Sequence, residues 1–262
     1  MAEHFKTYSQ YYDLLYRDKD YSGEANYVSE LIQRFDPQSQ SVLELGCGTG
    51  KHAELLAGAG WQVTGVELST TMLEAAQQRA ASLKQRTEAG SFDPHLGDAR
   101  DFRIDQTFGA VISLFHVVSY QTSNDDAIRM FETAAAHLSA GGLFVFDVWY
   151  GPAVVAQKPV VRVKRMEDEH LKVIRIAEPE LFPDLNRVDV NYTVLATSKS
   201  DGTVEQFDEC HPMRYFFQSE IDLLANLTGF EMVHAEEWMT CNEPSDQSWG
   251  VAFVLRKTDR SR

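Results

Sequence analysis

The stretch Ser41-Val42-Leu43-Glu44-Leu45-Gly46-Cys47-Gly48-Thr49-Gly50 consists of a short apolar strand that leads directly into three glycines at alternate positions. Glycine reaches positive φ and allows a backbone to approach a bulky ligand, and a helix predicted over 52–59 can direct its first N–H groups at that ligand. A dinucleotide fingerprint would need a small residue where this chain has Lys51. The spacing therefore predicts a nucleotide-cofactor loop and disfavours NAD and FAD.

Three further segments follow this loop in order. Val63-Thr64-Gly65-Val66-Glu67 is a second strand closed by an acidic residue, Leu68-Ser69 opens a helix that carries Met72, and Gly97-Asp98-Ala99-Arg100-Asp101-Phe102 comes next. Together with the loop, these segments resemble the class I S-adenosylmethionine-dependent methyltransferases. The resemblance implies S-adenosylmethionine as the cofactor and a doubly wound, Rossmann-like α/β sheet of seven strands.

The pattern along the chain fits such a sheet, because apolar strands alternate with amphipathic helices. Capping residues and glycines set the expected ends of these elements. The predicted boundaries are strands at 62–68, 94–97, 110–115 and 143–148, a loop at 87–94, a helix from its N-cap Ser69 to about residue 84, and a helix capped by Asn124 and stopped by Gly141-Gly142.

Beyond residue 150 the pattern changes to alternating segments that predict antiparallel hairpins, one of them turned at Ser200-Asp201-Gly202. We expect these hairpins to cover the acceptor or to form a dimer contact, because they lack enough core to fold alone. The predicted organisation is an N-terminal helical cap over 1–40, a cofactor-binding core over 41–150, an inserted β layer over 151–215, and a C-terminal helix and strands over 216–262 that complete the core.

The formal net charge of −15 argues against nucleic acids and anionic membranes as partners. The sequence has no apolar run of about 18 residues, and residues 1–6 lack the features of a secretion signal. Cys47, Cys210 and Cys241 show no C-x-x-C spacing, which argues against a structural zinc or a disulfide framework. We expect a cytoplasmic protein that acts on a small molecule and needs no metal. The sequence leaves open whether the protein forms a homodimer.

The resemblance also assigns roles to the cofactor residues. Glu67 would accept hydrogen bonds from the ribose hydroxyls, and Asp98 would accept one from the adenine amino group, with the Ala99 N–H directed at a ring nitrogen. Glu44 and the loop glycines would surround the methionine part. The full set implied for the cofactor is Tyr12, Tyr21, Glu44, Gly46, Cys47, Gly48, Thr49, Gly50, Glu67, Leu68, Met72, Asp98, Ala99, Arg100 and Phe115.

Candidates for the chemistry lie after the fourth and fifth strands. His116 and Tyr120 would orient or deprotonate the acceptor, although either could instead be a residue of the core. Asp147 could hold an ammonium group or anchor a loop, and Trp149 and Arg214 complete the predicted acceptor residues. A free amine needs no strong base to attack the activated methyl group, whereas a hydroxyl needs one.

The tyrosine-rich segment at 11–21, the segment at 115–120, the β insertion and Arg214-Tyr215-Phe216 together resemble bacterial methyltransferases of nucleotide-linked aminodeoxysugars. One departure concerns Ser119-Tyr120, because several of those enzymes carry a His after a Gly near this position. The function implied is transfer of a methyl group to the amine of a small polar acceptor. The alternatives are a metal-independent O-methyltransferase, an NAD-dependent oxidoreductase and a non-catalytic cofactor-binding regulator.

Overall fold

The computed structural model describes residues 8–84 and 90–259. The first seven residues of the predicted cap, residues 87–89 of the predicted loop and residues 260–262 of the C-terminal part lie outside these ranges. The helices are α1 (Tyr8–Leu15), α2 (Tyr21–Phe35), α3 (Lys51–Gly58), α4 (Thr70–Leu83), α5 (Asn124–Ala136), α6 (Gly151–Gln157) and α7 (Gln218–Thr228), with 3₁₀ turns at Val117–Tyr120 and Pro183–Leu185.

Up to α6 most strands alternate with these helices, the next four strands then follow one another, and α7 precedes the last two strands. The strands are β1 (Ser41–Leu45), β2 (Gln62–Glu67), β3 (Ser91–Leu96), β4 (Phe108–Ser113), β5 (Leu138–Tyr150), β6 (Arg162–Glu167), β7 (Leu171–Phe182), β8 (Arg187–Ser198), β9 (Val204–Phe216), β10 (Phe230–Glu237) and β11 (Gly250–Lys257).

Strands β3, β2, β1, β4 and β5 are parallel neighbours in that order, and β11 and β10 continue the sheet as antiparallel strands beyond β5. This arrangement of seven strands confirms the predicted doubly wound class. The predicted inserted β layer is present. The inserted strands extend the same sheet, in the order β9-β8-β7-β6, so that eleven strands within residues 8–84 and 90–259 are continuous.

The insertion joins the core through a short parallel contact between the ends of two strands. Trp149 pairs with Tyr215, and Tyr150 pairs with Phe216. Beyond this contact β9, β8, β7 and β6 are consecutive antiparallel strands, which confirms the predicted hairpins. The Gly202 N–H donates to the Ser198 carbonyl and closes the predicted turn.

Strand β5 shows how the core is covered on both faces. Phe144 and Phe146 pack in one apolar cluster with residues of α5 and α7, and Leu143 and Val145 pack in another with residues of α2 and α3. Because side chains alternate along a strand, burial of both sets places helices on both faces of the sheet. Full burial of each such side chain contributes about 1.5 to 3 kcal/mol.

Three predicted boundaries need correction. Ser123 and not Asn124 caps α5, because its hydroxyl accepts the N–H of Asp126 at 3.0 Å. The helix already ends at Ala136, and Gly141 bends the start of β5 with a φ of +82° instead of ending the helix. Strand β3 begins at Ser91 within the predicted loop, because Ser91 pairs with Gln62 of β2.

The N-terminal helices lie over different parts of the molecule. Helix α2 packs on the core, where the Trp61 indole donates to the Ser29 hydroxyl at 3.0 Å. Helix α1 packs on the insertion, where the Tyr11 hydroxyl donates to Glu205 at 2.9 Å and its ring stacks on Phe207. Along residues 8–84 and 90–259, no helix combines the length and the apolar character needed to span a membrane.

Candidate active site

A cavity of about 320 Å³ opens at the carboxyl ends of β1, β2, β4 and β5, with helix α1 and strands β8 and β9 on its other side. This edge of a parallel sheet is where doubly wound folds bind ligands. Most of the predicted site residues lie together in its wall. They are Tyr12, Tyr21, Glu44, Gly46, Cys47, Gly48, Thr49, Glu67, Leu68, Met72, Asp98, Ala99, Phe115, His116, Tyr120 and Trp149.

The loop after β1 needs glycine for two different reasons. Gly46, Gly48 and Gly50 all have positive φ, at +81°, +57° and +80°. A Cβ on Gly46 would also lie only 2.6 Å from a methyl group of Val117. Gly50 is not in the cavity wall, and a Cβ there would lie 2.7 Å from the Phe92 ring. Gly50 therefore allows close packing behind the loop.

Glu67 at the end of β2 holds the cofactor loop in place. Its Oε2 accepts the N–H of Gly48 at 2.9 Å, and its Oε1 accepts the N–H of Ser69 at 2.7 Å. Burial raises the pKa of this carboxyl, although the backbone N–H groups lower it in part. A carboxylate has about four lone-pair sites, so some remain for a hydroxyl group in the cavity.

Glu44 at the end of β1 is the most deeply buried acid in the cavity wall, with 1% of its surface exposed. Burial, together with the neighbouring charge of Glu67, raises the pKa of Glu44 to about 8. Its Oε2 has no hydrogen-bond partner among the described residues. A buried carboxylate in this state favours a cation as its partner, because an opposite charge stabilises the ionised form.

Asp98 lies after β3 and is held by Arg100. The Arg100 Nε donates to Asp98 at 2.9 Å, and its Nη1 donates to Asp126 at 2.6 Å. Burial alone would raise the pKa of Asp98, but the hydrogen bonds and charge of Arg100 outweigh it and lower the pKa. Arg100 is hydrogen-bonded to these two acids and does not line the cavity.

Helix α1 is attached to the cofactor loop by one acidic residue. The Thr49 hydroxyl donates to Asp13 at 2.9 Å, Arg79 Nη2 donates to Asp13 at 2.6 Å, and Lys51 Nζ lies 3.3 Å from the same carboxylate. These contacts place Tyr12 of α1 in the cavity wall. Lys51, which argues against a dinucleotide fingerprint, therefore also helps to hold helix α1 against the cofactor loop.

His116 follows β4 in a strained backbone segment. Phe115 and His116 both have a φ of +62°, a conformation that costs about 1 to 3 kcal/mol for each such residue and often marks a functional site. Asp147 accepts the His116 N–H at 3.1 Å, and His116 Nδ1 lies 2.6 Å from Asp147 Oδ2. These contacts hold the imidazole at the cavity wall.

Asp147 itself is 1% exposed and does not line the cavity. Burial would raise its pKa, but the charge and hydrogen bonds of His116 outweigh this effect and lower it. The structure therefore places Asp147 behind His116, where it anchors the loop, and not where it would contact an acceptor.

The far end of the cavity is built by the insertion. Tyr192 of β8, His211 and Met213 of β9, and Tyr120 after β4 line it. The Tyr120 hydroxyl and His211 Nδ1 are 2.9 Å apart. Burial raises the pKa of Tyr120 well above its usual value, so the phenol stays protonated.

Arg214 does not reach this cavity. Successive side chains of a strand point to opposite faces, so Arg214 points away from the face that carries His211 and Met213. Its Nη2 donates to Glu220 at 2.9 Å, and its guanidinium stacks on Phe216 at 4.8 Å. The predicted acceptor residue thus lies in an ion pair beside α7.

Several wall residues were not predicted from the sequence. The two-residue spacing of His211 and Met213 was the available signal, but a strand face cannot be assigned to a site before its register is known. The unpredicted wall residues are Tyr16, Lys51, His52, Val66, Ser69, Gly97, Leu114, Val117, Gln121, Tyr192, His211 and Met213. No cluster of three or more metal-ligating side chains occurs in the described part of the chain.

Comparison with known proteins agrees with this geometry. Residues 42–142 match a family model described as a methyltransferase domain. The chain is 30% identical to the dTDP-3-amino-3,4,6-trideoxy-alpha-D-glucopyranose N,N-dimethyltransferase of Streptomyces venezuelae over 86% of this chain and 90% of that enzyme. It is 26% identical to the dTDP-3-amino-3,6-dideoxy-alpha-D-glucopyranose N,N-dimethyltransferase of Streptomyces fradiae, over 88% and 86% of the two chains.

Solved structures extend the similarity to the whole fold. Streptomyces venezuelae DesVI superposes with a TM-score of 0.77 and 25% identity, over 97% of this chain and 99% of that one. The S-adenosylmethionine-bound amino pentose methyltransferase CalS10 of Micromonospora echinaspora superposes with a TM-score of 0.74 and 25% identity, over 97% and 98% of the chains.

Proposed function

The chain belongs to the class I S-adenosylmethionine-dependent methyltransferases, and from this premise we propose that it methylates the amino group of a nucleotide-linked aminodeoxysugar. The 30% identity to a dTDP-aminosugar N,N-dimethyltransferase, over 90% of that relative, carries the proposal. The insertion supports it, because Tyr192, His211 and Met213 extend the cavity beyond the cofactor loop and give an acceptor its own chamber.

The residues of the cofactor loop fit S-adenosylmethionine. Glu44 Oε2, buried without a partner among the described residues, suits the ammonium group of the methionine part. Glu67 suits the ribose diol with the lone pairs that Gly48 and Ser69 leave free. The backbone around Ala99, which is in the cavity wall, would contact the adenine.

The protein's task in this reaction is alignment. When bound, the cofactor supplies a methyl group already activated by a positively charged sulfur. The chain has to hold the acceptor nitrogen in line with that carbon and keep water out, effects that together supply up to about 7 to 11 kcal/mol. His116, held by Asp147, and Trp149 form the wall beside the acceptor chamber.

We propose that residues 1–40 act as a cover, residues 41–150 and 216–262 as the cofactor-binding unit, and residues 151–215 as the wall of the acceptor chamber. The contact of Tyr11 with Glu205 supports a cover that bridges the other two parts. We also propose a cytoplasmic location, since Cys47, Cys210 and Cys241 are free thiols.

The test is direct assay of the purified protein with S-adenosylmethionine and a panel of dTDP-linked 3-amino and 4-amino deoxysugars, with the corresponding hydroxy sugars as controls. We expect methyl transfer to amino sugars and none to the hydroxy sugars. For an amine, kcat should rise with pH through the pKa of the acceptor ammonium, because only the free base has a lone pair. Transfer to hydroxy sugars alone would establish O-methylation instead.

A further inference from the structure

His211 lies between two side chains that can exchange a proton with it. Its Nδ1 is 2.9 Å from the Tyr120 hydroxyl oxygen, and its Nε2 is 3.3 Å from Oε2 of Glu209. We propose that Tyr120, His211 and Glu209 form a proton relay that takes the proton from the acceptor nitrogen between two successive methyl transfers. This inference rests on the proposed function, because it requires an amine acceptor.

The relay is shielded from bulk water. The side chains of His211 and Glu209 are 2% and 9% exposed. The imidazole is also covered by the edge of Tyr192, with ring centroids 4.9 Å apart. In such surroundings His211 exchanges its proton with the hydrogen-bonded side chains beside it.

The hydrogen bonds set the direction of the relay. Tyr120 remains protonated because burial raises its pKa well above the usual value, so its hydroxyl donates to His211 Nδ1. The second imidazole nitrogen then carries hydrogen and donates to the Glu209 carboxylate. Tyr120 also lines the cavity, which is where the relay would meet the acceptor N–H.

The proton step follows the first methyl transfer. A bond forms between the acceptor nitrogen and the methyl carbon, and the carbon–sulfur bond breaks with its electron pair left on sulfur. A primary amine becomes a methylammonium with two N–H protons. One of these passes to the Tyr120 oxygen while the Tyr120 hydroxyl proton passes to His211 Nδ1. The nitrogen regains a lone pair, and Glu209 stabilises the imidazolium.

Other charged and titratable groups surround this relay. The Arg175 guanidinium lies 4.9 Å from the Tyr192 ring and donates to the Tyr16 hydroxyl at 2.9 Å.

The experiment measures monomethyl and dimethyl products over time for the wild type, Tyr120→Phe, His211→Gln and Glu209→Gln. His170→Gln, at an exposed site in the same insertion, is the matched control. We expect His211→Gln to slow the second transfer about 10²-fold at pH 7.5, at the lower end of the range for a general base, so that monomethyl product accumulates. Raising the pH to about 10 should shrink this difference, because free amine then forms without the relay.

A second readout is independent of turnover. ¹⁵N NMR of the histidine side chains should show the His211 hydrogen on Nε2 and not on Nδ1, the tautomer that the relay requires. Thermal unfolding and cofactor affinity of each variant should match the wild type, which separates the relay from a role in folding.

The outcomes are distinguishable. If the wild type methylates no amino sugar, the proposed function and the relay both fail. A wild type that adds two methyl groups, with the same product ratio in His211→Gln, would overturn the relay alone. So would a wild type that stops after one methyl group, or a His211 ring that carries its hydrogen on Nδ1.

Discussion

The two ends of the cavity are built in different ways. The cofactor end comes from one stretch of chain, residues 44–99. In this stretch the ends of β1, β2 and β3 follow one another at short intervals of sequence. The acceptor end is assembled from α1, the segment after β4, and strands β8 and β9, so that Tyr120 meets His211 across 91 positions. A site made by one local stretch can be predicted from its motifs, whereas a site made by distant strands depends on register.

The largest effect should come from the cofactor loop. Gly46→Ala adds a Cβ 2.6 Å from Val117 at a φ of +81°. The left-handed conformation costs about 1 to 2 kcal/mol and the overpacking about 1 to 3 kcal/mol more. Gly229→Ala, at a φ of +84° with nothing within 4 Å, is the matched control and should show the first cost alone. Urea unfolding of both variants measures the difference, and equal destabilisation would remove the packing argument.

Glu67→Ala tests whether the cofactor end is independent of the acceptor end. We expect cofactor affinity to fall by about 1.5 to 3 kcal/mol, the range for hydrogen bonds to a charged group, with no change in acceptor KM. Calorimetry with S-adenosylmethionine gives the affinity, and Glu74→Ala on the exposed face of α4 is the control. An unchanged affinity would show that Glu67 does not bind the ribose.

The raised pKa of Glu44 predicts that cofactor affinity depends on pH and that acceptor binding does not. Its carboxyl has a pKa raised to about 8, so it is mostly neutral at pH 6 and becomes ionised as the pH approaches 8. If the ionised form binds the ammonium group, affinity should rise by up to about tenfold, or 1.4 kcal/mol, per pH unit between pH 6 and 7.5 and level off above pH 8. Calorimetry across this range should show the rise in the wild type and not in Glu44→Gln. A parallel rise in both proteins would contradict this role.

The smallest effect is expected for Trp149 at the acceptor end. Trp149→Leu removes an aromatic wall of the chamber and should raise the acceptor KM by about five- to tenfold, or 1 to 1.5 kcal/mol, while cofactor affinity stays the same. Trp249→Leu is the control, since Trp249 packs edge-on against Trp149 but is not in the cavity wall. Steady-state kinetics with both ligands varied would show whether the two ends are separate. Equal changes in both constants would argue that they are coupled.

The sequence analysis was more accurate for the cofactor end of the cavity than for the acceptor end. The Gly46–Gly50 loop, Glu67 and Asp98 were predicted because glycine conformation and strand ends are local properties. The doubly wound sheet was predicted because strands and helices alternate in short units. The cap of α5 was misplaced by one residue, since Ser123 and Asn124 are both good caps and only the hydrogen bond to Asp126 distinguishes them.

Predictions at the acceptor end were weaker for a physical reason. Arg214 was assigned to the acceptor, but strand alternation directs it to Glu220 on the opposite face. The spacing of His211 and Met213 was too weak a signal, because one histidine in an amphipathic strand fits many roles. Helix α6 was missed, although Pro152 in its first turn suits a helix start. For Asp147 the sequence left two roles open, an ammonium partner and a loop anchor, and the contact with His116 favours the second.

The short contact between β5 and β9 has a consequence for how such proteins diversify. Only the ends of the strands, at Trp149–Tyr215 and Tyr150–Phe216, are hydrogen-bonded partners across the junction. An insertion with different side chains could therefore be grafted at this junction while the buried pairs of β5 with β4 and β11 stay intact. New acceptor specificities become accessible by exchanging a module at the margin of the sheet, and the inherited methyl-donor site is left unaltered.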